Sequence, residues 1–559
     1  MTRRDLGIAG LIFAGVLAVT VVAAPRQGIN RDEAYYMWAG EQYIAYFEHT
    51  LGGKANPFST STISRYWDYN HEHPPLMKVL YGLSWRLFHE CRCAEEPGLH
   101  PGAARLAAGE RHLTLPLFSL ESTAFRLPTM VFFGLLAALV YLFFTQAFGR
   151  GPGAVAAALL AVLQPRAFFH AQTAGFDLPA ATLWVATTFA WWRALGSQRR
   201  RPGVAAGLLW GLFLATKLQS FFLPVALGLH WLWLFVAWKR GRRPAAPSFW
   251  PIVWMALLGP LVFFVSWPWM WHDTLRRLGG YLGFHLGHVH YNFEYLGTNY
   301  YHAPYPWHEP LGMLLYTAPV VLLALAAAGA VLLWRTRASR NDGRATGWLL
   351  FISGFVPISL FLRGSVPIFG ETKHWLATMS FLALAAGVAV QAIAAGLARE
   401  FDLGARARAA VAAALVAVAA VPAAVETARS HPYGLSHYNA LAGGAPGGAD
   451  LGMNRQFWGY SVLGVLDWLD QHVKPDGKVY LHDWNHDAYN IYLREHRLRR
   501  DILDAGMEMD GVRASDTALL VHEKHFNKYE MMIWDAYRQV RPSYVLTLDG
   551  VPLVTVYQR

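Results

Sequence analysis

Long apolar runs separated by short polar stretches fill the first three quarters of the chain. Together with the run from Leu6 to Ala24, they fall near residues 125–148, 154–169, 178–192, 203–215, 218–238, 249–269, 311–334, 347–362, 375–397 and 409–425. Several approach the roughly 20 residues that cross a bilayer, and the pattern predicts about eleven transmembrane helices. An odd count puts the two chain ends on opposite sides. The polar stretches test that count. Arg199-Arg200-Arg201, Lys239-Arg240 with Arg242-Arg243, and the basic stretches 335–344 and 399–408 all fall on the side of the N-terminus. Basic loops face the cytoplasm, so the N-terminus is expected inside and the loop after the first span outside. The competing reading of residues 6–24 is a cleaved signal peptide, because Val21-Val22-Ala23-Ala24 offers small residues for processing. The length of the run and the spans that follow favour a retained helix.

Between Asn30 and Arg126 the pattern is only patchily apolar. Two amphipathic stretches, 33–47 and 74–88, are too short to span and predict interfacial helices within a first external loop, 25–124. After Val425 the pattern changes. Gly443-Gly444 and Gly447-Gly448 around Pro446 predict a loop, and 458–473 an amphipathic helix. Strands at 478–481, 518–521, 544–548 and 553–557 then alternate with helices at 486–495 and 526–539. The expected organisation is a transmembrane domain, 1–425, followed by a small external α/β domain, 426–559. No glycine-rich phosphate loop occurs in it, so it is not read as a nucleotide-binding domain.

Composition agrees with the pattern. Hydrophobic residues make up 54% of the 559 and charged residues 15%, with a net charge of +11. A soluble chain carries about 25% charged residues. In a soluble protein such a charge would suggest nucleic acid, but here it sits in loops between spans and reports orientation instead. No nucleic-acid partner is expected. The expected location is a plasma membrane, that of a bacterial inner membrane, with the C-terminal domain periplasmic. Cys91 and Cys93, one residue apart, form neither a useful staple nor a zinc framework.

The chemistry-bearing residues cluster outside the spans. Asn30-Arg31-Asp32-Glu33-Ala34-Tyr35-Tyr36 follows the first span at once, and an acidic pair is a poor membrane anchor, since Lys, Arg, Trp and Tyr fill that role. The pair therefore points to a site at the membrane boundary. In the same loop, His71-Glu72-His73-Pro74-Pro75-Leu76-Met77-Lys78 fixes a turn before a helix, which would aim His73 and Lys78 in set directions. Asp177 opens a span and is either a functional carboxylate or a helix cap. Glu371-Thr372-Lys373-His374 begins a late span and reads as a substrate contact or an anchor. His285, His288 and His290 have a spacing that could hold a divalent metal, or they line an aromatic interfacial loop. His482-Asp483 and His486-Asp487 read as helix-start caps.

In their order, Asp32-Glu33, His73-Pro74-Pro75-Leu76 and Phe125-Arg126-Leu127-Pro128 resemble the GT-C glycosyltransferases. The resemblance is to the phospholipid-carrier-dependent superfamily of protein O-mannosyltransferases and lipid A aminoarabinose transferases. It extends through Asp177, Ala215-Thr216-Lys217, Pro268-Trp269-Met270-Trp271-His272-Asp273 and the run from Phe284 to His290, covering residue 1 to about 460. It implies transfer of one sugar from a polyprenyl-phosphate donor to a lipid, glycan or protein acceptor on the outer face. It also implies Asp32 as the base, with Glu33 supporting it. Arg31, Tyr36, His73, Lys78, Arg126, Asp177, Lys373 and His374 are then candidates for binding the donor phosphate or substrate, with Lys217 a further cation. No cofactor is firmly implied, although a divalent metal would suit a phosphate leaving group. The alternatives are a transporter or flippase of lipid-linked sugars, or a non-catalytic relative. A transporter would place ionisable groups at mid-membrane and often shows internal repeats. Here the candidates sit mostly at span ends.

Overall fold

The computed structural model describes residues 2–90, 114–197, 199–335, 342–368, 371–482, 486–506, 509–523 and 527–559. Cys91, Cys93 and Asp483 lie outside the described residues. The first part of the chain is helical: α1 (Arg3–Ala23), α2 (Arg31–Leu51), α3 (Thr60–Trp67), α4 (Leu76–Phe88), α5 (Glu121–Phe148), α6 (Pro152–Val162), α7 (Pro165–Ala171), α8 (Asp177–Leu195), α9 (Pro202–Leu214), α10 (Leu223–Lys239), α11 (Trp250–Ser266) and α12 (Thr274–Leu286). A short hairpin of β1 (Phe293–Tyr295) and β2 (Thr298–Tyr300) follows, then α13 (Glu309–Thr317), α14 (Val320–Arg335), α15 (Thr346–Ser359), α16 (Leu376–Glu400) and α17 (Ala405–Ser430).

Each of the expected spans is helical, but they differ in reach. Five helical segments are long and apolar enough to cross a membrane alone: Arg3–Arg26, Glu121–Phe148, Leu218–Lys239, Glu371–Glu400 and Ala405–Ser430. Counting the bent pairs α6–α7 (68°) and α13–α14 (115°) as single spans raises the number to seven. Pro202–Leu214, Trp250–Ser266 and Thr346–Leu362 are shorter apolar helices. At 1.5 Å per residue, a helix the length of α9 rises about 20 Å, less than a hydrocarbon core of about 30 Å. The protein is an integral membrane protein of mostly helical architecture. Small residues let its helices cross closely. A Cβ on Gly153 would lie 2.3 Å from the Gly387 carbonyl oxygen, so α6 and α16 meet through backbone.

The segment between α1 and α5 is more helical than its pattern suggested. A capping box starts α2: the Asn30 side chain accepts from the Glu33 N–H at 2.9 Å, and Glu33 accepts from the Asn30 N–H at 2.9 Å. The polar cap overrides the weak amphipathic pattern and sets the start at Arg31. A Cβ on Gly82 would fall 2.2 Å from the Gly40 carbonyl oxygen, which makes the α2–α4 crossing another close backbone contact. At the far end of the turn, the Leu76 N–H donates to the Ala215 carbonyl at 2.9 Å and ties α4 to the end of α9.

The C-terminal part contains α18 (Gly444–Asp450), α19 (Leu466–His472), β3 (Lys478–Leu481), α20 (His486–Arg494), β4 (Leu503–Asp504), α21 (Met509–Ala514), β5 (Thr517–Val521), α22 (Asn527–Tyr537), β6 (Tyr544–Leu548) and β7 (Val551–Gln558). Its strands form one sheet in the order β4-β3-β5-β7-β6, with β3 parallel to β4 and β5, and β7 antiparallel to β5 and β6. Alternate residues serve opposite faces. Tyr480, Ala518 and Leu520 pack with Val512 and Ile533. Val479, Leu481, Leu519 and Val521 pack with Leu466 and Ile491 on the other face. That second core continues into Ile29, Ala34, Met77, Tyr81 and Phe125, so the sheet and the segment between α1 and α5 share one interior. The helix expected at 458–473 is broken. Trp458 and Gly459 adopt positive φ (80° and 69°), a 3₁₀ turn runs from Tyr460 to Val465, and α19 begins only at Leu466.

Candidate active site

Asp32 lies in the first turn of α2, part-exposed. Among the described residues its side chain makes no hydrogen bond or ion pair. Its neighbour is the reverse. Glu33 is fully buried and accepts from Arg126 Nη2 at 2.6 Å, Arg126 Nε at 3.1 Å and the Ala174 N–H at 2.8 Å, besides closing the capping box. Arg126 is 1% exposed and also donates to the carbonyls of Gln27 (2.8 Å), Gly28 (2.9 Å) and Ala24 (3.5 Å). All of its N–H donors are thus occupied by the protein. Neither Arg126, expected as a phosphate or substrate contact, nor Glu33, expected in a supporting role beside Asp32, has a group to spare in this arrangement. The pair instead fastens the 24–30 segment, α2, α5 and the 172–176 loop to one another.

Lys78 is likewise not a phosphate contact in this arrangement. It is fully buried and donates to Tyr43 Oη at 3.1 Å, Asn70 Oδ1 at 3.2 Å, the His73 carbonyl at 2.8 Å and the Asn70 carbonyl. It locks the turn that presents His73. Burial lowers its ammonium to about 7, with the Glu72 carboxylate acting in the opposite sense. Between pH 7 and its ordinary value the unfolded chain binds the extra proton, so Lys78 makes the folded state gain stability as pH rises through that window. Lys78→Met should remove this slope. Thermal unfolding of both proteins at pH 7 and pH 9 should show the wild type gaining roughly 2 kcal/mol relative to the variant.

His73 and Tyr36 form the aromatic side of the site. Tyr36 meets His73 edge-on at 5.6 Å and lies 4.1 Å from the Phe176 ring, while His73 is 5.5 Å from His285. Burial pushes the His73 imidazole well below its usual range, and Lys78, His285, Lys217 and Lys373 add to the effect. His73 is therefore a neutral ring at pH 7. Burial and the charges of Asp32, Asp177 and Glu72 hold the Tyr36 phenol protonated.

Charged groups from distant parts of the chain meet beside these rings. Asp177, at the start of α8, pairs with Lys217, just past the end of α9. Lys373 lies 4.1 Å from the centroid of the Trp458 ring and within electrostatic reach of Asp177, Asp32, Lys217 and Arg31. The backbone N–H of Arg31 donates to the Trp458 carbonyl at 3.0 Å. A small cleft is lined by Asp177, Lys373 and His374 and by apolar walls of Ala180, Trp184, Phe213, Leu360 and Leu376. Asp32 and His73 do not line that cleft. They approach the same lysines from α2 and the His71–Pro75 turn. His374 contributes its carbonyl to Gln219 Nε2 at 2.9 Å and stacks on Phe361, so its ring supports the cleft wall.

The three histidines of the α12 region are separated. His285 Nε2 lies 3.0 Å from the Glu72 carbonyl, His288 Nδ1 2.8 Å from that of Val289, and His290 Nδ1 2.8 Å from Tyr305 Oη. Among the described residues no group of three or more His, Cys, Asp or Glu is placed to share a metal. The spacing along the chain was misleading because α12 ends at Leu286, and the later two histidines leave in an irregular segment.

Sequence reasoning missed Trp458, Phe176 and His170, the last within electrostatic reach of Asp177, Lys217 and Lys373. The Phe457-Trp458-Gly459 run held a usable signal. Two large aromatics before a glycine suggest a turn that presents rings, where helical periodicity suggested a helix.

The sequence and the fold were compared with known proteins. Residues 111–271 match the family described as dolichyl-phosphate-mannose-protein mannosyltransferase. No curated protein matches the chain. Among solved structures, ArnT from Cupriavidus metallidurans bound to undecaprenyl phosphate aligns over 98% of each chain at 17% identity, with a TM-score of 0.48. Its apo form aligns over 99% of this chain and 98% of that one at 16% identity and 0.49. The archaeal oligosaccharyltransferase AglB from Archaeoglobus fulgidus, in complex with an inhibitory peptide and a dolichol-phosphate, aligns over 94% of this chain and 71% of that one, at 13% identity and 0.47. Over residues 111–271 the chain is similar to the dolichyl-phosphate-mannose-protein mannosyltransferase family, in keeping with the GT-C resemblance that its motifs carry.

Proposed function

We propose that this protein is a membrane glycosyltransferase that moves one sugar from a polyprenyl-phosphate carrier to an acceptor hydroxyl at the outer face of the membrane. The observation that carries the reading is Asp32, which among the described residues makes no hydrogen bond or ion pair and lies within electrostatic reach of Lys373, in the cluster with Asp177 and Lys217 that heads an apolar cleft. The apolar side chains beside Asp177 and Lys373 suit contact with a hydrocarbon tail, and the phosphate would then meet Lys373 and Lys217. Asp32 accepts the acceptor's proton as its oxygen bonds to the anomeric carbon. The bond from that carbon to the phosphate oxygen breaks, and the lysines stabilise the charge that gathers on the departing phosphate. His73 and Tyr36, both uncharged, line the approach. The similarity of residues 111–271 to dolichyl-phosphate-mannose-dependent enzymes supports a lipid-phosphate donor.

The test is incubation of the purified protein in lipid nanodiscs with radiolabelled polyprenyl-phosphate sugars and a panel of lipid, glycan and peptide acceptors. Failure to consume any lipid-linked donor would overturn the reading. Lys373→Ala should raise KM for the donor by roughly tenfold to a hundredfold, the value of a hydrogen bond to a charged group. Lys373→Arg should recover part of that loss in the same titration.

A further inference from the structure

Lys373 is aimed by residues that take no part in the scheme above. Glu371, two residues before it, is buried and has φ of 47°, in the left-handed region that residues other than glycine rarely enter. Such a conformation persists only where the surroundings over-determine it. Here two distant partners do so. Arg166, in α7, donates from Nη1 to Glu371 Oε2 at 2.7 Å, and Asn454 donates from Nδ2 to Oε1 at 2.8 Å. Each carboxylate oxygen thus accepts its own charge-assisted bond. Tyr438 joins the two donors. Its ring lies 5.4 Å from the Arg166 guanidinium carbon, and its hydroxyl donates to the Asn454 carbonyl at 2.6 Å. The Glu294 N–H completes the frame by donating to Asn454 Oδ1 at 2.8 Å.

The segment that supplies Asn454 also holds Lys373 by its other end. Four residues on, the Trp458 ring lies 4.1 Å from the Lys373 ammonium, and His170 meets that ring edge-on at 5.8 Å. Trp458 has φ of 80°, and its carbonyl accepts the Arg31 N–H, which ties it to the start of α2. Residues 454–458 therefore act on Lys373 twice, on its backbone through Glu371 and on its charge through Trp458. A lysine side chain left to itself samples many rotamers, and ordering it on a phosphate costs entropy. A lysine ordered beforehand avoids that cost. We propose that Asn454 and Trp458, with the Arg166–Glu371 pair, are positioning residues that hold Lys373 ready for the donor phosphate. The inference rests on the glycosyltransferase reading and adds the groups that preorganise its donor site.

A double-mutant cycle tests it, with radiolabelled undecaprenyl phosphate as the probe and the full chain in nanodiscs. Trp458→Leu keeps apolar bulk and removes the aromatic face. Asn454→Asp keeps the shape and the bond from Glu294, and removes the donor to Glu371. Each should weaken binding about tenfold, the value of a desolvated cation–π contact, and Trp458→Phe should keep much of the affinity. In a Lys373→Ala protein the same two changes should weaken binding no further, because they act through Lys373. Thermal unfolding accompanies each titration, and Trp458→Leu carries the test if Asn454→Asp does not fold. Wild-type affinity in the folded variants, or a loss of the same size with Lys373 already removed, would overturn the proposal. A wild-type protein that binds no undecaprenyl phosphate would instead sink the donor reading, and the proposal with it.

Discussion

Asp32→Asn is expected to lower sugar transfer by about 10³-fold, within the range that a positioned base contributes. The melting temperature should be unchanged, because the wild-type carboxylate has no hydrogen-bond partner to lose. Asparagine keeps the shape and removes only the ability to take a proton. Donor binding should hold or tighten slightly, since a negative charge near Lys373 is gone. The measurement is single-turnover transfer with saturating donor, run beside thermal unfolding. Near-wild-type turnover in a folded Asp32→Asn protein would remove Asp32 from the chemistry. Asp32→Glu should fall between the two, because the longer side chain retains the base and displaces it.

Arg126→Ala should be the most destabilising single change in the site, costing about 3–5 kcal/mol. The loss leaves Glu33 buried and charged without its partner, and strips the Ala24, Gln27 and Gly28 carbonyls of donors. Lysine should rescue little, because one ammonium cannot reproduce a planar fork that serves a carboxylate and several carbonyls at once. Thermal unfolding in detergent checks this directly. The outcome separates two roles. A phosphate ligand would fold normally when truncated and raise only the donor KM. A positioning residue loses stability first, and its activity falls as the 24–30 segment releases the start of α2.

Much of the architecture was legible because it follows from periodicity. The expected spans all form helices, and β3 and β6 fall at the expected Lys478–Leu481 and Tyr544–Leu548, short runs rich in β-branched and aromatic residues. The two-residue strand β4 carried no period to read. The count of spans was less legible, since composition cannot say that α6 turns through 68° into α7 or that α9 is short. Lys373 lies within electrostatic reach of Asp32 and Asp177, and Tyr36 meets His73 edge-on; motif order names all of these but Lys373, which reads as the start of a late span. Charge type could not say that Lys373 lines the cleft while Lys78 and Arg126 are turned onto backbone carbonyls elsewhere. That distinction depends on backbone carbonyls brought in by distant segments, and no residue pattern records it.

The C-terminal sheet has a consequence for how the protein comes into being. Ile29 donates its N–H to Tyr492 Oη at 2.6 Å, Arg497 reaches the Pro25 carbonyl at 2.6 Å, and Arg494 meets Glu121 at 2.6 Å. Ile29, which leads into the segment that carries Asp32, therefore leaves the ribosome 463 residues before its partner Tyr492. Every apolar helix has been synthesised before those contacts can form. A nascent chain halted before residue 490 would have the capping box and the Glu33–Arg126 pair that start α2, but not the contacts that tie this segment to the C-terminal sheet.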